Sequence, residues 1–312
     1  MRSRVSPWNP WIAENRYFDG FRARIQQNRY NAPPSVAPGT SRQEHFEAME
    51  LIDIGCNLTH DTFDADREQV LADARQAGVV QLIVTGASED GSRMALELAR
   101  RHPGVLYATA GVHPHHAADY TAETDALLRE LAVHDEVVAV GETGLDYFRD
   151  FSPRDAQRAA FARQLRIGAD TGLPLFLHLR DAHDDFHAML SEHRAALSEV
   201  VVHCFTGSRE EMLQYIELGC HIGITGWICD ERRGTHMKDY LAEIPAERLM
   251  IETDAPYLKP RNLRPRVKSH RNEPRFLPWI AGTLAAVRDE HPERLAAQTT
   301  ANARRFFRIA AP

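Results

Sequence analysis

Two histidines and a glutamate stand out because each closes a short apolar run: Val-Ala-Val-Gly-Glu142, Phe-Leu-His178 and Val-Val-His203. Two neutral imidazoles and one carboxylate form a three-ligand set that leaves positions on a divalent cation for water and substrate. Asp254, in Ile251-Glu-Thr-Asp254, can orient or deprotonate the attacking water. His113, in Gly111-Val-His113-Pro-His115, can meet a substrate phosphate. A lone histidine on a strand is usually a packed or surface residue. Here titratable residues recur at the same end of six of the eight apolar runs, which lowers the weight of that reading. Asp53 and Glu252 lie within their runs and read as groups that support the ligands or the strand. Asp146 follows Glu142 by four residues, where turn formation accounts for it equally well. None of these three is counted as a ligand.

A second signal follows Asp254. Lys259, Arg261, Arg264, Arg266, Lys268, Arg271 and Arg275 face one acid, Glu273, a local charge of +6 in a chain of net charge −7. Basic groups beside a metal suit a phosphate-bearing substrate. Lys259 and Arg261, nearest to Asp254, are the expected phosphate contacts. Pro260, Pro265 and Pro274 predict a shaped loop there.

The elements that must position these groups follow one rhythm. Strands are expected at 51–55, 79–86, 105–112, 137–144, 173–180, 200–207, 221–226 and 248–254. Helical patterns fill the intervals at 66–77, 92–101, 123–134, 153–171, 184–193, 209–218 and 232–243, and two more follow at 273–290 and 292–307. Thr121, Ser152 and Ser208 look like N-caps, and Gly78, Gly172 and Gly219 sit where helices should stop. Continuous apolar strands are the mark of a parallel sheet. Eight β–α alternations over the 259 residues from Leu51 to Ile309 (309 − 51 + 1) match a TIM (β/α)8 barrel, whose functional groups gather at the C-terminal strand ends.

Composition sets the outer bounds. Of the 312 residues 43% are hydrophobic and 26% charged, as in a globular domain. The acidic balance argues against general coating of duplex DNA, so any nucleic-acid contact must be local. The four cysteines form no CxxC pair and read as reduced, buried thiols of a cytoplasmic protein. No apolar run is long enough for a membrane span or a secretory signal. Residues 1–48 carry Trp8, Trp11, Pro33, Pro34 and Pro38 without a sustained period. They are expected to be a flexible extension preceding the barrel domain 49–312.

The motifs Asp53-Ile-Gly-Cys-Asn-Leu-Thr, Ala110-Gly-Val-His-Pro-His, Val140-Gly-Glu-Thr-Gly-Leu-Asp, His203-Cys-Phe-Thr-Gly, Ile222-Gly-Ile-Thr-Gly-Trp-Ile-Cys-Asp-Glu-Arg-Arg-Gly and Ile251-Glu-Thr-Asp-Ala-Pro-Tyr-Leu, in this order, resemble the TatD family of hydrolases. So does Thr299-Thr-Ala-Asn-Ala-Arg-Arg-Phe-Phe near the end. The resemblance implies a metallohydrolase barrel acting as a 3′→5′ exonuclease on single-stranded DNA and RNA. Glu142, His178 and His203 match the family's metal ligands, Asp254 its catalytic or metal-binding aspartate and His113 a histidine of its cleft. Many members carry His-x-His on the first strand, where this chain reads Asn57-Leu58-Thr59, so a second filled metal site is not expected. Family behaviour implies Mg2+; the ligand types alone suit Mn2+ or Zn2+ better. A monomer is expected, and a DNA-repair role extends the resemblance. The alternatives are a hydrolase of a small molecule, which has no need of the basic loop, a hydrolase of aminoacyl-tRNA esters, and a non-catalytic barrel.

Overall fold

The computed structural model describes residues 49–312. The extension expected at 1–48 lies outside the described residues. Eight parallel strands pair in sequence order, β1 Leu51–Cys56, β2 Val79–Val84, β3 Leu106–Ala110, β4 Val137–Asp146, β5 Leu175–Arg180, β6 Val200–Val202, β7 His221–Ile224 and β8 Leu249–Ile251. The two ends of the sheet meet through a bridge between Cys56 and Ala255. There Asp254 N–H donates to Gly55 O at 2.9 Å and Asn57 N–H to Ala255 O at 2.8 Å. The expected barrel is thus present and nearly closed. Every residue of β1, β4, β6, β7 and β8 is buried, as two-sided coverage demands.

The helices are α1 Arg67–Gln76, α2 Glu89–Arg101, α3 Ala122–Leu131, α4 Arg154–Thr171, α5 His183–His193, α6 Arg209–Glu217, α7 Leu277–Val287 and α8 Pro292–Phe307. Ser208 caps α6 in a reciprocal box with Glu211, and Thr121 caps α3 with Thr124. Gly172 ends α4 at φ 69°, where a side chain would be strained. Ser152 does not cap α4; its hydroxyl donates to His115 O and accepts from Ala118 N–H, tying two loops together.

The helix expected at 232–243 does not form. Short 3-10 turns stand at His236–Asp239 and Leu241–Glu243 instead. The Asp230 carboxylate accepts Arg232 N–H at 2.9 Å, and Thr235 Oγ1 donates to Glu231 O at 2.8 Å. Such local side-chain bonds compete with helix propagation. The pattern at 273–290 also starts later, because Pro274 begins a separate turn and α7 opens only at Leu277.

Inside the barrel, Ile52, Ile54, Ile83, Ala139, Phe176, Val201 and Met250 form one buried cluster. Phe306 and Phe307 of α8 and the following Ile309 pack onto it. One end of the barrel is therefore sealed by apolar side chains, and the polar groups are left to the other.

Candidate metal centre

Strand β4 carries Glu142 into the open mouth, where its Oε1 becomes a hub. His203 Nε2 lies 2.8 Å from it, His178 Nδ1 2.9 Å and His113 Nε2 3.3 Å. The three residues named from sequence as ligands converge, and His113 joins them. The atoms offered by His113, Glu142 and His178 all lie within 4.8 Å of one another, close enough to share an ion.

The opposite ring nitrogens separate ligands from donors. His203 Nδ1 faces the buried Glu252 carboxylate at 3.3 Å. A proton held on that side would leave Nε2 free to ligate a cation in place of the proton it shares with Glu142. His178 turns Nε2 toward Asp146 Oδ2, 3.5 Å away, with Nδ1 toward the hub. His113 is the reverse: its Nδ1 accepts His115 N–H at 3.1 Å, so Nε2 carries the proton. The nitrogens of His178 and His203 that meet Glu142 are placed to bind a cation, whereas His113 is placed to donate. Two imidazole nitrogens and a carboxylate oxygen at such separations need positive charge among them, as shared protons or as a cation.

The electrostatics agree. Burial alone would raise the Glu142 pKa, but the imidazoles of His113 and His203 outweigh it and hold the carboxyl well below its usual range. Burial would lower His203, but the Glu142 and Glu252 carboxylates on its two sides hold it well above. His178 is raised likewise, against burial, by Asp146 and Glu142. Positive charge is stabilised between these rings. His113 goes the other way: burial pushes it down to about 4 and keeps it neutral. A nitrogen-and-oxygen donor set inside a ring of carboxylates fits a divalent cation.

Asp254 has φ 53°, a left-handed conformation that costs a non-glycine residue about 1 kcal/mol or more. Its Oδ1 accepts from Asn57 Nδ2 at 3.0 Å. Burial raises its pKa to about 7, only partly opposed by His203. A carboxyl tuned near neutrality suits general-base work. Where β1 ends, positions 55 and 57 face Glu252 and Asp254. A Cβ on Gly55 would lie 2.4 Å from Glu252 Oε2. An imidazole pair on this strand would thus replace Gly55 and Asn57, one residue pair earlier than the expected 57 and 59, and Glu252 fills the space beneath Gly55.

The basic loop departs from expectation. Lys259 Nζ donates to the carbonyls of Val267 and Ser269 and so braces the loop itself. Arg261 lies 3.6 Å from Asp230 and 3.8 Å from Glu231. Arg271 pairs with Asp66 and Glu273, and Arg275 with Asp73 and Glu273. Neither Lys259 nor Arg261 joins the Glu142 cluster. Arg264, Arg266 and Lys268 remain exposed.

Three groups were passed over in the sequence. Asp146 makes the turn weighed for it, Oδ1 accepting Phe148 and Arg149 N–H, and its Oδ2 faces His115 at 2.7 Å and His178 at 3.5 Å. Glu252 accepts Cys204 N–H at 2.5 Å besides its contact with His203. Asp53 accepts Thr253 N–H and Oγ1–H and so ties β1 to the segment after β8. Recurrence at strand ends was the available signal for Asp146.

Comparison with known proteins agrees with this architecture. The family model described as TatD related DNase matches residues 52–308. A protein of Pantoea sp. (strain At-9b) named 3′-5′ ssDNA/RNA exonuclease TatD is 52% identical over 260 residues, covering 83% of this chain and 100% of the relative. A protein of the same name from Erwinia billingiae is 51% identical, covering 84% and 100%. Among solved structures, the TatD homologue YjjV of Escherichia coli superposes with TM-score 0.76 at 29% identity, covering 83% of this chain and 98% of that one. A TatD-family hydrolase of Entamoeba histolytica gives 0.73 at 27%, with the same coverage.

Proposed function

The chain belongs to the TatD related DNase family and is a nuclease that hydrolyses phosphodiester bonds, and from that premise we propose that Glu142, His178 and His203 hold its divalent cation. The observation that carries this reading is the convergence of His178 Nδ1 and His203 Nε2 on one Glu142 oxygen, each ring facing a carboxylate with its other nitrogen. The substrate is single-stranded DNA or RNA, shortened from its 3′ end, as the names of the 50%-identical relatives describe for those proteins. Mg2+ is the ion of this reading, with Mn2+ or Zn2+ better matched to the two imidazoles.

A bound cation supplies Lewis-acid polarisation of the phosphate and a more acidic attacking water. The chain's own residues do the rest. Asp254 accepts the proton of the water, its pKa of about 7 placing it near working pH. His113, neutral and with Nε2–H aimed into the mouth, donates to a non-bridging phosphate oxygen. Asp146 and Glu252 hold His178 and His203 in register. Arg264, Arg266 and Lys268 give the incoming strand a basic approach, in place of the engaged Lys259 and Arg261. No helix among the described residues is long and apolar enough to cross a membrane. Free thiols at Cys56, Cys204, Cys220 and Cys229 support a cytoplasmic enzyme, which we take to act as a monomer.

The test is digestion of 3′- and 5′-end-labelled single strands after chelation and restoration of single metals. Wild-type chain should shorten the strand from the 3′ end, and His178→Ala/His203→Ala should not. Full activity in that double variant refutes the ligand assignment. Steep loss of cleavage with added salt is expected of a substrate held by its phosphates.

A further inference from the structure

Beside the metal centre lies a cavity of about 520 Å³, lined among others by Arg180, Phe205, Thr206, Trp227, Arg233 and His236. It is built from the loops after β5, β6 and β7. Arg180 is two residues beyond His178 on the same strand, and Phe205 is two beyond His203. A two-residue step along a strand is roughly 7 Å, so the cavity adjoins the ligands. Its Trp227 belongs to the Gly226–Gly234 run, a motif to which the hydrolytic chemistry assigns no task.

The walls have the chemistry of a base platform. The Arg180 guanidinium carbon lies 5.0 Å from the Phe148 ring centre and 5.3 Å from that of Trp227. Phe148 is 53% exposed, so aromatic surface stands open beside Arg180. Two buried donors here lack hydrogen-bond partners, Trp227 Nε1 and Arg180 Nε. For the latter, Asp181 Oδ1 comes no closer than 3.7 Å. Buried donors without acceptors cost free energy unless something accepts from them. Asp181, Asp184 and Glu211 also line the cavity and disfavour a phosphate inside it.

We infer that this cavity takes one unpaired nucleobase of the strand, stacked against the Trp227–Arg180–Phe148 array, with its carbonyl oxygens accepting from the two free donors. The inference rests on the nuclease reading and deepens it. The volume accommodates a single nucleotide, and aromatic–base stacking is indifferent to sequence. A base within a duplex is stacked and paired, so it enters only after extrusion. The cavity thereby selects single strands next to the scissile phosphate.

The experiment compares (dT)6 with strands carrying an abasic tetrahydrofuran residue at the terminal or the penultimate 3′ position. Full-length wild type should cleave (dT)6 at least about tenfold more efficiently, through KM, than one of the two abasic strands. Trp227→Leu should lose that preference, its kcat/KM falling more on (dT)6 than on the discriminated abasic strand. Trp227→Phe, which keeps a ring but lacks the N–H, should fall between. Equal loss on all strands in Trp227→Leu shows a merely structural role and overturns the inference; so does unchanged preference for (dT)6. Binding of the same strands to the chelated chain, read by fluorescence anisotropy, should rank them identically without turnover. A chain that binds through Trp227 yet cleaves nothing refutes the nuclease reading and leaves the base site standing.

Discussion

Glu252 places its carboxylate 3.3 Å from Nδ1 of His203, on the face of the ring opposite Glu142. A proton held on that nitrogen leaves Nε2 for the cation proposed above. Both groups are buried, Glu252 completely, so no water competes for that nitrogen.

Glu252→Gln should therefore weaken metal affinity by roughly 10- to 100-fold while the barrel still folds. Calorimetric titration of Mn2+ into the chelated variant checks this, alongside a thermal melt. Undiminished affinity would show that His203 needs no support from below.

Gly55 tests the same carboxylate from above. Alanine there puts a Cβ 2.4 Å from Glu252 Oε2 and 2.9 Å from Phe176 Cζ. Overpacking in a filled interior costs about 1–3 kcal/mol. Gly55→Ala should lower the unfolding free energy from a denaturant titration by that amount and reduce activity together. A fully active, equally stable variant contradicts the packing described.

A pH effect is expected away from the site. His221 on β7 is buried beside the Phe306 ring, and burial pushes its pKa from 6.5 down to about 4. The folded chain thus binds the proton less readily than the unfolded chain. This contribution to stability is complete above pH 6.5 and is lost as pH falls toward 4, with a full size of about 3 kcal/mol. His221→Phe should flatten that part of the stability–pH curve. If wild type and variant lose stability in parallel over this window, the assignment fails.

Phe306 and Phe307 hold the closed end of the barrel. Phe306→Ala should cost about 3–5 kcal/mol of stability in a denaturant titration. Below its melting point the variant should keep wild-type metal affinity, because the ligands sit at the other end. Loss of metal binding in the folded variant would mean that the two ends are coupled.

The sequence was most readable where one rule acted alone. All eight strands lie where apolar runs predicted them, because two-sided burial leaves no polar alternation to confuse. The segment 232–243 misled because its helical spacing was outweighed by the Asp230 and Thr235 side chains bonding to nearby backbone. In the site, Glu142, His178 and His203 announced themselves by position. Glu252 and Asp53 read as supporting groups because they lie within strands, and only the fold reveals that Glu252 meets His203. Lys259 looked like a phosphate contact because charge was legible and pairing was not; its carbonyl partners are Val267 and Ser269. The ring-nitrogen roles of His113 and His178 depend on partners brought in by distant loops, which no local spacing encodes.

The central claim is that His178 and His203 bind the cation and His113 does not. It is tested most directly by Mn2+ affinity, measured by calorimetry on His113→Ala, His178→Ala and His203→Ala. The account predicts at least about tenfold weaker binding for the variants at 178 and 203 and near wild-type binding for His113→Ala despite its impaired hydrolysis. Equal loss at 113 and 203, or intact binding in His203→Ala, contradicts it.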